Sequence, residues 1–129
     1  MKLKLMIVDD DSDLRTLISQ SLKAIDLEYE ITEAESGEDC LKKIRENKPQ
    51  VILMDLMMPG IDGMDTTIRI KQDPSFKDIK IIYLTAKTDK LSKGMGAISG
   101  EAYIEKPVDT QVLDKKIKEV FMGKSNSQQ

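Results

Sequence analysis

Three consecutive aspartates, Asp9, Asp10 and Asp11, close the first apolar run of the chain, and a lone Asp55 closes the third. Thr85 and Ala86 end the fourth run, and Lys106 with Pro107 follows the fifth directly. Brought to one place, these side chains would make a distinct kind of site. Two carboxylates about 4 Å apart repel by roughly 4 kcal/mol at an effective dielectric near 20. A group of three therefore needs protonation or a counter-charge. Lys106 supplies one positive charge, and a divalent cation would make up the rest. Carboxylates and water are the hard oxygen donors that Mg2+ accepts while keeping part of its hydration shell. With no histidine and a single cysteine, the chain is a poor fit for zinc or copper. A cation beside a carboxylate, a hydroxyl and a lysine is the equipment of phosphoryl transfer. The carboxylate attacks, and the other groups neutralise charge on the transferring oxygens. Asp55 is the best candidate nucleophile because it stands alone after the most continuously apolar run, 51–54.

Whether these groups meet depends on the elements that carry them. The run 3–8 is aliphatic and strand-like. Leu14, Leu17, Ile18, Leu22 and Ile25 follow at helical spacing and predict one apolar stripe, on a helix that Asp11 or Ser12 can cap. A weaker strand over 29–34 alternates Ile31 with polar neighbours, as a sheet edge does. Ser36 caps a helix expected to run to Asn47, with Cys40, Leu41 and Ile44 inward and Pro49 closing the segment. Residues 51–54 are apolar on both faces, the mark of a buried parallel strand. A Met-Pro-Gly-Ile-Asp-Gly loop leads into a helix over 64–72, broken by Asp73-Pro74-Ser75. The fourth strand spans 79–84 and ends at Thr85. Residues 89–99 have the length of a helix, weakened by Gly94 and Gly96 at roughly 1 kcal/mol each against alanine. The fifth strand is 102–105. A last helix, capped by Asp109 or Thr110 and stopped by Gly123, is expected to turn Val112, Leu113, Ile117, Val120 and Phe121 inward. Met54, Met57, Met58 and Met64 read as core filler. Strands alternating with helices form βαβ units, and right-handed crossovers set them in one parallel sheet covered on both faces. Ligand sites in such sheets lie beyond the carboxyl ends of the strands, where the aspartates, Thr85 and Lys106 stand.

Composition removes several other classes. At 129 residues the chain is one domain, expected over 1–123, with 124–129 a disordered polar tail or the start of a linker. Twenty basic residues against 23 acidic ones give a net charge of −3 with no basic block, so direct nucleic-acid binding is not expected. The lack of histidine excludes Ser-His-Asp chemistry and any phosphohistidine on this chain. Cys40 has no internal disulfide partner, which fits a reducing, cytoplasmic setting. The N-terminal run lacks the length and cleavage site of a signal peptide, and no apolar stretch approaches the ~20 residues of a membrane span. Nothing after Met122 has the length of an output domain. The sequence therefore reads either as a free-standing regulator or as a piece of a longer one.

Taken in order, Ile7-Val8-Asp9-Asp10-Asp11, the stretch VILMDLMMPGIDG over 51–63, Leu84-Thr85-Ala86, and Tyr103-Ile104-Glu105-Lys106-Pro107 resemble the receiver domain of two-component response regulators. The resemblance covers nearly the whole chain. It implies an α/β, flavodoxin-like doubly wound fold: five βα units on a five-stranded parallel sheet in the order 2-1-3-4-5. It implies that Asp55 accepts a phosphoryl group from a phosphohistidine on a sensor histidine kinase or a histidine phosphotransfer protein. Asp10, Asp55 and the Met57 backbone carbonyl would hold Mg2+, with Asp9 acting through a bound water. Lys106 would pair with the phosphoryl oxygens, and the Thr85 hydroxyl, the Ala86 N–H and the Met57 backbone would bind them. Tyr103 would be an aromatic switch that turns inward when Thr85 moves. The face made by the helix expected over 89–99, the fifth strand and the last helix would then present a changed surface to a downstream target or a second copy. Such a module is not an enzyme beyond its own phosphorylation and dephosphorylation. Some relatives carry a polar residue at the position of Met57 that orients hydrolytic water, so dephosphorylation is expected to be slow. Two other functions compete. A Mg2+-dependent aspartyl phosphatase of the haloacid dehalogenase type would carry a second aspartate where this chain has Met57. A receiver-like adaptor working without phosphorylation would usually have lost its acidic and lysine corners, which are intact here.

Overall fold

The computed structural model describes residues 2–86 and 102–123. Its elements run β1 (Leu3–Val8), α1 (Ser12–Ile25), β2 (Tyr29–Ala34), α2 (Gly37–Lys43), β3 (Val51–Asp55), α3 (Gly63–Gln72), a 3-10 turn (Pro74–Phe76), β4 (Lys80–Thr85), β5 (Ala102–Glu105) and α4 (Thr110–Phe121). The strands lie in the order β2-β1-β3-β4-β5, and every pairing is parallel. The expected doubly wound architecture and strand order are therefore present. The helix expected over 89–99 and the tail 124–129 lie outside the described residues.

Period-two alternation divides the strands between two cores. Leu5 and Ile7 of β1, Val51 and Leu53 of β3, and Ile82 and Leu84 of β4 face α1 and α4, where Ile18, Leu22, Leu113, Ile117 and Val120 meet them. Met6, Val8, Ile52, Met54, Ile81 and Tyr83 face the other way, onto Cys40, Ile44, Ile70 and Phe76. All five residues of β3 are buried, while β2 and β5 are only partly covered, as the sheet order requires of a centre and two edges. Each fully buried Leu or Ile contributes roughly 1.5–3 kcal/mol, so the fully buried β3 is a well-packed platform for the residue at its end.

Several expectations need correcting. Leu17 is 59% exposed because it stands a third of a turn from Ile18, off the inward face, and Ile25 is exposed where the stripe runs out at the last residue of α1. Val112 is likewise exposed: Leu113, Ile117 and Val120 form the inward stripe of α4, and Val112 lies beside it. Met57 is not core filler. It sits at 68% exposure in the loop after β3, whereas Met54 and Met58 are buried. The regular helix α2 stops at Lys43 rather than Asn47, because the N–H groups of both Glu46 and Asn47 bond the Lys43 carbonyl and tighten the backbone into a turn. β4 begins at Lys80, since the Ile79 N–H is still held by the Phe76 carbonyl. The capping residues are Asp11 for α1 and Asp109 for α4, each accepting two backbone N–H bonds.

Candidate functional site

The register sets the site. Val8 of β1 stands opposite Met54 of β3, so Asp9 and Asp55, each one residue further on, come level at the same edge. Asp55 in turn stands opposite Leu84 of β4, and Thr85 opposite Glu105 of β5. The residue after each of β1, β4 and β5 thus lines one rim together with Asp55.

Asp9 extends the β1 ladder by one bond, its N–H to the Ala34 carbonyl at 3.2 Å, and its side chain is buried. Asp9 Oδ1 accepts the Asp11 N–H at 2.9 Å, and Oδ2 meets the Lys106 ammonium at 3.0 Å. Lys106 also reaches Asp55 Oδ1 at 3.5 Å, while its own N–H is held by the Thr85 carbonyl at 2.8 Å. The Lys106–Pro107 peptide bond is cis. Asp9, Asp10 and Asp55 each offer a carboxylate oxygen within 4.8 Å of the others, with Asp10 exposed and the other two buried. The set is oxygen-only, dense in negative charge and open to solvent on one side. Its donor chemistry fits a hard divalent cation such as Mg2+.

The electrostatics show the strain of this arrangement. Burial, and then the neighbouring Asp9 charge, push the Asp55 carboxyl up to about 6; Lys106 and the Met57 N–H, the latter 3.3 Å from Asp55 Oδ1, offset part of that rise. Burial alone would lower the Lys106 ammonium, but its bond to Asp9 and the charges of Asp55 and Asp9 outweigh burial and hold it above its ordinary value.

The structure brings together Asp9, Asp10, Asp55 and Lys106. Thr85 ends β4 beside them and is buried, but its hydroxyl donates to the Ala86 carbonyl at 3.0 Å. Tyr103 is half-buried, stands beside Tyr83 across the β4–β5 pairing, and packs against the core on the α2 and α3 side. Two supporting residues escaped the sequence reading. Arg15 of α1 donates to the Asp9 backbone carbonyl and pairs with Glu33 at 3.0 Å, steadying the acidic turn from behind. Glu38 of α2 accepts the Ile61 N–H in the loop after β3. The signal for Arg15 was only its place six residues beyond Asp9 on a capped helix; Glu38 left none.

A flavodoxin-like sheet carrying an acidic cluster and a lysine at the carboxyl ends of its strands defines an α/β protein of the doubly wound class with a rim site. The model of the response regulator receiver domain matches residues 5–118, and the chain belongs to that family. It is 38% identical over 118 residues to the transcriptional regulatory protein AfsQ1 of Streptomyces coelicolor, covering 91% of this chain and 50% of that one. It is 34% identical to protein PilG of Pseudomonas aeruginosa, covering 86% and 82% respectively. Among solved structures, a response regulator from Chloroflexus aurantiacus superposes with a TM-score of 0.87 at 32% identity, covering 95% of this chain and 99% of that one. The chain spans about half the length of several curated relatives it matches. No helix among the described residues is long and apolar enough to cross a membrane.

Proposed function

We propose that the chain is a phosphorylation-switched signalling module in which Asp55 is the acceptor. An Asp55 oxygen attacks the phosphorus of a phosphohistidine on a sensor histidine kinase or histidine phosphotransfer protein. A P–O bond forms as the P–N bond breaks, and the departing imidazole nitrogen keeps the electron pair and takes a proton. Asp10, Asp55 and the Met57 carbonyl are the groups that would hold Mg2+, with Asp9 acting through a water; bound there, the cation would neutralise charge on the phosphoryl oxygens. Lys106 moves its ion pair from the carboxylates to those oxygens. The Thr85 hydroxyl and Ala86 N–H bind them too, which requires the Thr85 hydroxyl to leave the Ala86 carbonyl. Tyr103 turns inward as Thr85 moves, and the surface around β5 and α4 changes for a downstream target or a second copy of the chain.

The observation that carries this reading is one ammonium, Lys106, bridging Asp9 and Asp55 inside a carboxylate trio whose oxygens lie within 4.8 Å of each other. Incubation with acetyl phosphate and Mg2+, followed by intact mass and peptide mapping, tests it. One phosphoryl adduct at Asp55 is the expected result. Repeated hydrolysis of phosphoesters would point instead to an aspartyl phosphatase, and the absence of an adduct to an adaptor that works without phosphorylation.

A further inference from the structure

Helix α2 meets the loop that follows β3 at two points: Gly37 lies against the Ile61 side chain, and Glu38 alone reaches the loop backbone by hydrogen bond. Glu38 Oε2 accepts the Ile61 N–H at 3.2 Å. Gly60, with φ of 79°, lies against the same carboxylate: a Cβ there would come 2.7 Å from Oε2 and 3.1 Å from Oε1. An acid in the first turn of a helix is ordinarily accounted for by the helix dipole. Here the carboxylate reaches out of its own helix to a backbone N–H of another segment, and a glycine leaves room for it.

The loop it holds leaves β3 at Asp55, buries Leu56 and Met58, turns through Pro59 and Gly60, and is closed at its base by the Gly63 N–H on the Leu56 carbonyl at 3.0 Å. Met57 lies on its exposed limb. Buried side chains and the Leu56–Gly63 bond fix the base; Glu38 meets the outer turn.

We propose that Glu38 is a positioning residue: it pins the outer turn of the 56–63 loop to α2 and so sets the Met57 backbone at the rim. The inference rests on reading Asp10, Asp55 and the Met57 carbonyl as a cation site. Glu38 is not one of the clustered carboxylates and acts through the loop alone. Its role is geometric, so an amide oxygen in the same place serves as well as a carboxylate, and a methyl group does not.

The test is calorimetric titration of the full chain with Mg2+, with thermal melts of each variant alongside. Glu38→Ala is expected to weaken Mg2+ binding about three- to tenfold, what one net hydrogen bond is worth. Gly60→Ala, which displaces the carboxylate from the other side of the contact, should weaken it in the same direction. Glu38→Gln should stay within about twofold of the parent chain, since it keeps the acceptor. Glu46→Ala, which removes a charge from the exposed turn after α2, should have no effect. Unchanged binding in Glu38→Ala, or equal weakening in Glu38→Gln or Glu46→Ala, overturns the positioning role while leaving the cation site standing. If the parent chain itself takes no Mg2+, the cation site falls and this inference with it. Should Gly60→Ala fail to fold, the Glu38 pair decides alone.

Discussion

Lys106 and Asp9 form an ion pair at 3.0 Å between groups separated by nearly the whole chain, and the same ammonium lies 3.5 Å from Asp55. One side chain arriving from beyond β5 thus ties together the ends of β1 and β3. Its backbone is anchored to Thr85, so it cannot relax far. Among the described residues no other lysine or arginine makes an ion pair with Asp9 or Asp55.

Lys106→Met therefore leaves the carboxylates without their nearest counter-charge. Losing one partner of a fully buried pair costs about 3–5 kcal/mol, and Lys106 is partly exposed, so roughly 1–3 kcal/mol is expected in urea unfolding without Mg2+. Adduct formation from acetyl phosphate should fall at least about tenfold, since among the described residues Lys106 is the one whose ammonium pairs with Asp55. An undiminished adduct rate would remove Lys106 from the chemistry.

Asp55→Asn keeps the side-chain shape and removes the charge. The adduct should disappear altogether. The variant should also melt several degrees higher than the parent at neutral pH in EDTA, because the cost of burying that charge, and its repulsion with Asp9, are gone. A surviving phosphoryl adduct would move the acceptor to another residue.

The sheet and the rim were legible because both have strong one-dimensional signatures. The short aliphatic runs of β1 and β4 and the unbroken apolar run of β3 name the strands, and the acids, threonine and lysine that follow them name the edge. Side-chain facing on helices was less legible. Leu17 and Val112 are as apolar as their inward neighbours, and a third of a turn on a helix decides their exposure. Met57 looked like its buried neighbours Met54 and Met58, because composition does not reveal where a strand stops and a loop turns outward. Arg15 and Glu38 act on backbone atoms of other segments, and contacts of that sort follow from the fold and not from spacing.

Gly63 opens α3 directly beneath Asp55: a Cβ there would lie 2.3 Å from the Asp55 carbonyl oxygen and 3.0 Å from the Leu56 Cα. Both are backbone atoms of the segment that aims Asp55, so neither can swing away. Gly63→Ala should cost about 1–3 kcal/mol, the range for overpacking a filled site, and should slow adduct formation as well. Retention of parental stability and adduct rate would mean that the loop is softer than this contact implies.

Tyr29 tests whether the far end of the sheet is uncoupled from the rim. It begins β2, and its hydroxyl donates to Asp114 Oδ1 of α4 at 2.6 Å, beside the Lys118 bridge to Asp26. Tyr29→Phe should lose about 1.5–3 kcal/mol of stability, as for a hydrogen bond to a charged acceptor, and leave the adduct rate unchanged. A slowed adduct would show that the two poles communicate.

The pH dependence of the metal-free chain follows from Asp55. Its folded value of about 6 lies above the ordinary carboxylate value of 3.8, so folding favours the protonated form. The stability tied to that group is complete below the unfolded value and is lost as pH rises through about 6. Asp26 is held below its ordinary value by the Glu28 N–H and Lys118. Asp39 is also lowered: although its burial acts upward, Lys43 and the Glu35 N–H prevail. Their contributions are present above the unfolded value and fade as pH falls through their lower folded values, in a window more acidic than that of Asp55. Between about pH 4.5 and 7 the contribution of Asp55 therefore stands clear of them. In EDTA the melting temperature should decline across that interval, and Asp55→Asn should flatten the decline. Millimolar Mg2+ should raise melting more at pH 7 than at pH 5, because a cation binds the ionised cluster and stabilises the fold by mass action. A parent chain whose melting is level across this range, with and without Mg2+, would contradict the close packing of Asp9 against Asp55.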